Sequence, residues 1–164
     1  MKLPSWIALG CLVTFASAAE EPLWNLPSDL AGKTEKASFR RGYAVGTWIN
    51  PFYLRGDFDG DGKPDYALLV ESQPDHKKGL VIWLSALPNS KGIFIGAGTK
   101  FQETDDWTFF DAWQVHTSKV VRQGASEEKP PHPRGESILI EKSESASGLL
   151  YWDGRRIRWY QQAD

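Results

Sequence analysis

A chain of 164 residues with a formal charge of −2 is long enough for one domain with a substantial core, and short for two. Hydrophobic residues at 41% and charged residues at 24% match an ordinary globular protein and exclude a disordered or fibrous one. The near-neutral balance leaves no broad basic surface for nucleic acid or anionic lipid.

The first element in chain order is a leader. Lys2 supplies a positive n-region, "WIALGCLVTF" an apolar h-region, and "ASA" (Ala16 to Ala18) a small-residue cleavage site. This pattern predicts a signal peptide over residues 1–19, with the mature chain starting near Glu20 and exported to a periplasm or the extracellular space. The apolar run is too short to span a bilayer, and no later segment is long enough. "ALGC" before Cys11 resembles a lipoprotein acylation site, but few apolar residues precede it, so cleavage after Ala18 or Ala19 is the processing expected. Cys11 is the one cysteine, so the mature domain, residues 20–164, has no disulfide to support its core.

Within that domain a short helix is predicted to open at Ser28, where Ser28 and Asp29 can cap free amides. Strand signals follow. "VGTWINPFYL" (Val45 to Leu54), "YALLVES" (Tyr66 to Ser72), "GLVIWLSA" (Gly79 to Ala86) and "GIFIGAG" (Gly92 to Gly98) are apolar runs of strand length separated by turn residues. Residues 107–117 are ambiguous between strand and helix. The stretch 123–135 holds three prolines and reads as a surface loop. "SILIEK" resumes strand, and "SGLLYWDGRRIRWYQQ" reads as a hairpin with a two-residue turn at Asp153-Gly154. The fold class predicted is a single, mainly β domain: an antiparallel meander, sandwich or open barrel with one or two short helices.

One stretch carries chemistry. "GDFDGDGKPDYALLV" places Asp57, Asp59 and Asp61 at alternate positions, turns on Gly62, and adds Asp65 before an apolar strand. Oxygens at positions 1, 3 and 5 of such a loop converge, position 7 offers its carbonyl, and an acid at 9 completes the set. The predicted ligands are therefore Asp57, Asp59, Asp61, the carbonyl of Lys63, and Asp65. Carboxylates this close repel one another, a divalent cation removes the repulsion, and an all-oxygen set selects Ca2+. An acidic turn joining two strands is the plain alternative. Position 12 is Leu68, not the bidentate glutamate of an EF-hand. The stretch resembles the calcium loop of FG-GAP or VCBS-type repeats, in which D-x-D-x-D-G-x-x-D leads into an apolar strand. It occurs once here, so a many-bladed propeller is not expected.

Other constellations are weaker. His76, His116 and His132 lack ligand spacing, and neither a nucleophile elbow, a zinc-protease motif nor a phosphate-binding glycine loop is present. Asp105-Asp106 and Glu127-Glu128 are acid pairs whose spacing fixes no catalytic geometry. No catalytic residue is assigned, and a hydrolase with an unrecognised site ranks last. Trp48, Trp83, Trp107, Trp113, Trp152 and Trp159 are either core residues or, if exposed, a face for a glycan or another protein. "SASGLLYWDGRRIRWYQ" loosely resembles the signature of periplasmic inhibitors of C-type lysozyme, which implies a binding role for Ser147, Gly148 and Tyr151. A packing role for the same residues is also open, with Trp159 covering Gly148 and Arg156 facing Tyr151. The function expected is that of an exported calcium-binding domain with a structural or binding role, with hydrolase inhibition second.

Overall fold

The computed structural model describes residues 26–87, 92–125 and 127–163. The predicted leader, its cleavage site and Cys11 lie outside the described residues, as does most of the turn after residue 87. In chain order the elements are α1 (Ser28–Thr34), α2 (Ala37–Arg40), β1 (Tyr43–Val45), β2 (Tyr53–Gly56), β3 (Asp65–Ser72), β4 (Lys78–Trp83), β5 (Ile93–Gly96), β6 (Ala112–His116), β7 (Ser137–Lys142), β8 (Ala146–Trp152) and β9 (Ile157–Ala163).

Helix α1 begins where expected, but not by the expected cap. Pro27 occupies the N-cap position, and its carbonyl accepts the amides of Leu30 and Ala31 at 2.9 Å each. No side chain caps the helix. Its buried Leu30, with Phe39 of α2, packs on one face of the first sheet.

The strands form two antiparallel sheets. One runs β1-β3-β4-β5, with β2 also on β3; the other runs β6-β7-β8-β9 in sequence order. The predicted single strand over residues 45–54 is instead two strands on the same edge of β3. Gly46 donates to Leu69 and Leu69 donates back to Phe52, so residues 47–51 leave the ladder and return. Pro51 has no N–H to offer the ladder, which is why the run breaks there. The carbonyl of Pro51 accepts the indole N–H of Trp113 at 2.6 Å and ties this excursion to the second sheet.

Sheet packing follows from alternation along each strand. Ala67, Leu69, Leu80, Ile82 and Ile95 face the second sheet, which answers with Trp113, Ile138, Ile140, Leu150 and Ile157. Tyr66, Leu68, Val70, Val81 and Trp83 face the other way and are covered by the helices. With both faces buried, β3 and β4 read as continuous apolar runs rather than alternating ones. The outer face of the second sheet is covered at Leu149 and Tyr160 by Val121. The Tyr160 hydroxyl accepts the Gly124 amide and donates to the Glu128 carbonyl, so the Pro-rich segment is strapped down rather than loose. The ambiguous stretch resolves into strand only at β6; Trp107 and Phe110 plug the core from the loop before it.

The closing hairpin differs by two positions from the register that a two-residue turn would give: Trp152 lies opposite Ile157. Residues 153–156 make the connection, with the amides of Arg155 and Arg156 both donating to Asp153 Oδ1. That side-chain acceptor stabilises a wider turn than the two-residue type. Arg158 therefore replaces Arg156 as the partner of Tyr151 and pairs with Asp153 at 2.8 Å. The Arg158 guanidinium, then the turn amides, hold the Asp153 carboxyl below its usual 3.8, at about 2. Because the folded value is depressed, the turn's contribution is present above the unfolded pKa and is lost as pH falls through about 2. An NMR pH titration is expected to place the Asp153 midpoint near 2 in the wild type, with Arg158→Ala moving it back toward the ordinary carboxylate value.

Candidate metal site in the Asp57–Asp65 loop

The loop joins β2 to β3 and is folded by its own acids. Asp57 accepts the amides of Gly60 and Gly62 on its two oxygens, at 2.8 and 3.1 Å. Asp59 accepts the Asp61 amide, and Asp61 accepts the Lys63 amide. Gly60 and Gly62, at φ 79° and 81°, make the reversals that these bonds require. The result brings one carboxylate oxygen from each of Asp57, Asp59 and Asp61 within 4.8 Å of one another.

Three of the five predicted positions are thus gathered. Asp65 has a different place. It is fully buried, and its oxygens accept the amides of Phe58 at 2.7 Å, Asp59 at 3.1 Å and Ser85 at 2.6 Å. Asp59, itself 7% exposed, reaches the next amide, that of Ala86. The two acids fasten the loop to the chain leaving β4. Lys63 sits on the rim, its ammonium 3.5 Å from Asp61 Oδ2 with 71% of the side chain exposed. An exposed pair of this kind is worth little.

The electrostatics of the two ends differ. Burial pushes the Asp65 carboxyl up, against the pull of its three amide bonds, and the Asp59 charge adds to the rise. The Lys63 amide, by contrast, holds Asp61 below the ordinary carboxylate range. The donor set is all carboxylate oxygen, the set that suits a hard cation. Each carboxylate has about four lone-pair sites, so the amide bonds leave room for ligation.

Sequence reasoning missed the loop's second support. Glu136, from the segment before β7, accepts the Asp57 amide on Oε2 at 2.8 Å and donates its own amide to the Asp57 carbonyl at 2.7 Å. It lies 79 residues away in sequence, and no local pattern announces it.

The remaining candidates stay apart. Among the described residues no other group of three or more acids, histidines or cysteines converges as these aspartates do. His76 is exposed and bonded to Glu71, His116 is half-buried on β6, and His132 is exposed in the Pro-rich loop. Asp105 pairs with Lys77, and Asp106 accepts the Lys78 amide. Trp83, Trp107 and Trp113 are core, while Trp48, Trp152 and Trp159 pack against it partly buried. Ser147 and Gly148 lie within strand β8, and Tyr151 lies on its outer face near Val121.

No protein-family model matches the chain, and no solved structure matches it. Two curated proteins are partly similar. A UPF0182 protein of Pelotomaculum thermopropionicum is 30% identical over 67 residues, which is 41% of this chain and 6% of that protein. A UPF0182 protein of Desulforamulus reducens is 30% identical over 66 residues, 40% of this chain and again 6% of its own length. The chain therefore matches only a small fraction of these relatives.

Proposed function

We propose that the protein is an exported calcium-binding β-rich domain, in which the ion fastens the Asp57–Asp61 loop and the protein acts by binding or support rather than by catalysis. The observation that supports this reading is the convergence of the Asp57, Asp59 and Asp61 carboxylates within 4.8 Å, with one exposed lysine beside them. A bound divalent cation supplies the positive charge that three adjacent carboxylates lack. Asp57, Asp59 and Asp61 would hold it. Asp65, bonded to three amides, and Glu136, bonded to Asp57, keep the loop in shape for it. Outside the cell calcium is not switched, so the role is structural.

The test is calcium added to metal-stripped protein, followed by calorimetry and thermal melting. Extracellular calcium modules bind with a Kd of about 10⁻⁴ to 10⁻³ M. At ten times that concentration linkage adds about 1.4 kcal/mol, a few degrees in Tm for a domain of this size. Asp61→Ala is expected to remove the response while costing little in metal-free protein, because it also removes like-charge repulsion. Magnesium is expected to substitute poorly, since it holds its water and demands a tighter octahedron. No heat and no Tm shift at several times the upper Kd of about 10⁻³ M would reduce the loop to an acidic turn.

A further inference from the structure

Far from the aspartate loop, the other end of the second sheet carries a groove of about 360 Å³. The loop sits at the Asp153 end, where Gly154 lies against Arg134 and Arg134 against Gly60. The groove is walled by Ser147 and Gln161, at the opposite ends of β8 and β9, by the Trp159 ring, which lies over Gly148, and by the segment 102–109. The residues of β8 between these ends span about 20 Å.

Three departures from local rules meet in this groove. Phe109 is 42% exposed, the one aromatic side chain left so open among the described residues. The β8–β9 ladder shifts register between Ser147 and Gly148, an irregularity of the kind that re-aims side chains beside binding sites. Gln102 holds φ at 55°, a left-handed backbone that a non-glycine residue seldom adopts. Natural folds concentrate such departures where something is bound.

The chemistry of the walls selects the ligand. Trp107, buried, forms the floor; the Phe109 and Trp159 rings stand on it at 5.1 and 5.6 Å and lie perpendicular to one another, at 90° and 6.3 Å. The Trp159 indole is held by its N–H bond to Gln161 Oε1 at 3.0 Å, so its face is pre-set. Among the described residues no lysine or arginine lines the groove, and Lys100 beside it is paired with Glu103, which disfavours a phosphate or carboxylate ligand. At the rim, Ser147 and the 97% exposed carboxylate of Glu103, which the Lys100 ammonium approaches at 3.8 Å, offer hydroxyl-binding groups. A volume of this size is at the small end of ligand pockets.

We propose that this groove binds one neutral pyranose unit of an oligosaccharide, its C–H face on the Phe109 ring beside Trp159 and its hydroxyls on the Glu103 and Ser147 side. The site is independent of the calcium reading and stands or falls apart from it. The experiment is a tryptophan-fluorescence titration of the full chain with cellotetraose, maltotetraose and fully N-acetylated chitotetraose, repeated for Phe109→Ala and Glu103→Ala. The expected result is saturable change with at least one of the three sugars, weakened about tenfold or more by Phe109→Ala, with the fold retained by circular dichroism although the lost contacts to Trp107 and Trp159 lower Tm. Glu103→Ala is expected to weaken the same titration. No saturable change with any of the three up to about 10 mM, beyond the weakest specific affinities, overturns the proposal. So does binding that both variants leave intact, or saturation by a tryptophan-containing tripeptide where none of the sugars binds.

Discussion

Asp65→Ala is expected to lower the stability of the domain by about 3–5 kcal/mol, a large part of what a domain of this size has. The side chain is fully buried, and its removal leaves the amides of Phe58, Asp59 and Ser85 without their acceptor. Each orphaned buried donor costs about 1–3 kcal/mol, and relief of the carboxylate's own desolvation offsets part of the sum. Asp65→Asn keeps the shape and one acceptor oxygen but turns an NH2 group toward an N–H, so about half the loss is expected. A urea melt at neutral pH gives both numbers; an Asp65→Ala midpoint equal to wild type would sink the assignment. Because Asp65 also holds the loop in shape for the ion, the gap between wild type and Asp65→Asn is expected to widen when calcium is added.

The sheets were legible in the sequence because strands buried on one or both faces write their burial directly into residue order. "SILIEK" is β7 from end to end, and the β3 and β4 runs match their predicted positions closely. What failed were features set by a single group acting at a distance or across a turn. The hairpin register depends on Asp153 accepting two amides, which composition alone cannot separate from a two-residue Asp-Gly turn. Residues 107–111 gave no period because Trp107 and Phe110 fill the core from a loop while Phe109 stays open, each placed by its own contact rather than by a repeat. The candidate site divides the same way. Alternate aspartates around glycines are a local signal and do converge. The supports from Ser85, Ala86 and Glu136 are tertiary, and no spacing rule reaches them.

Gly135→Ala tests the most distant of those supports, and is expected to cost about 3 kcal/mol, the upper end of overpacking. Gly135 lies in the Pro-rich segment that composition marks as surface, yet it is buried beneath the aspartate loop. A Cβ there would stand 2.1 Å from the Asp57 carbonyl oxygen, 2.6 Å from the Gly60 nitrogen and 2.8 Å from the Phe58 carbonyl carbon. All three are backbone atoms, so no side chain can swing away to make room. The segment must move, and with it the paired bonds between Asp57 and Glu136. Calcium affinity is therefore expected to fall along with stability. Gly62→Ala is the control: at φ +81° it carries backbone strain of about 1–2 kcal/mol, but a Cβ there meets nothing within 4 Å. It disturbs the loop's conformation without prying it from its support. Chemical melts and calcium titrations of both variants decide the matter. Larger losses of stability and of calcium binding in Gly135→Ala than in Gly62→Ala are the expected result. Equal losses would mean that the loop holds its shape alone and that residues 134–136 merely lie against it.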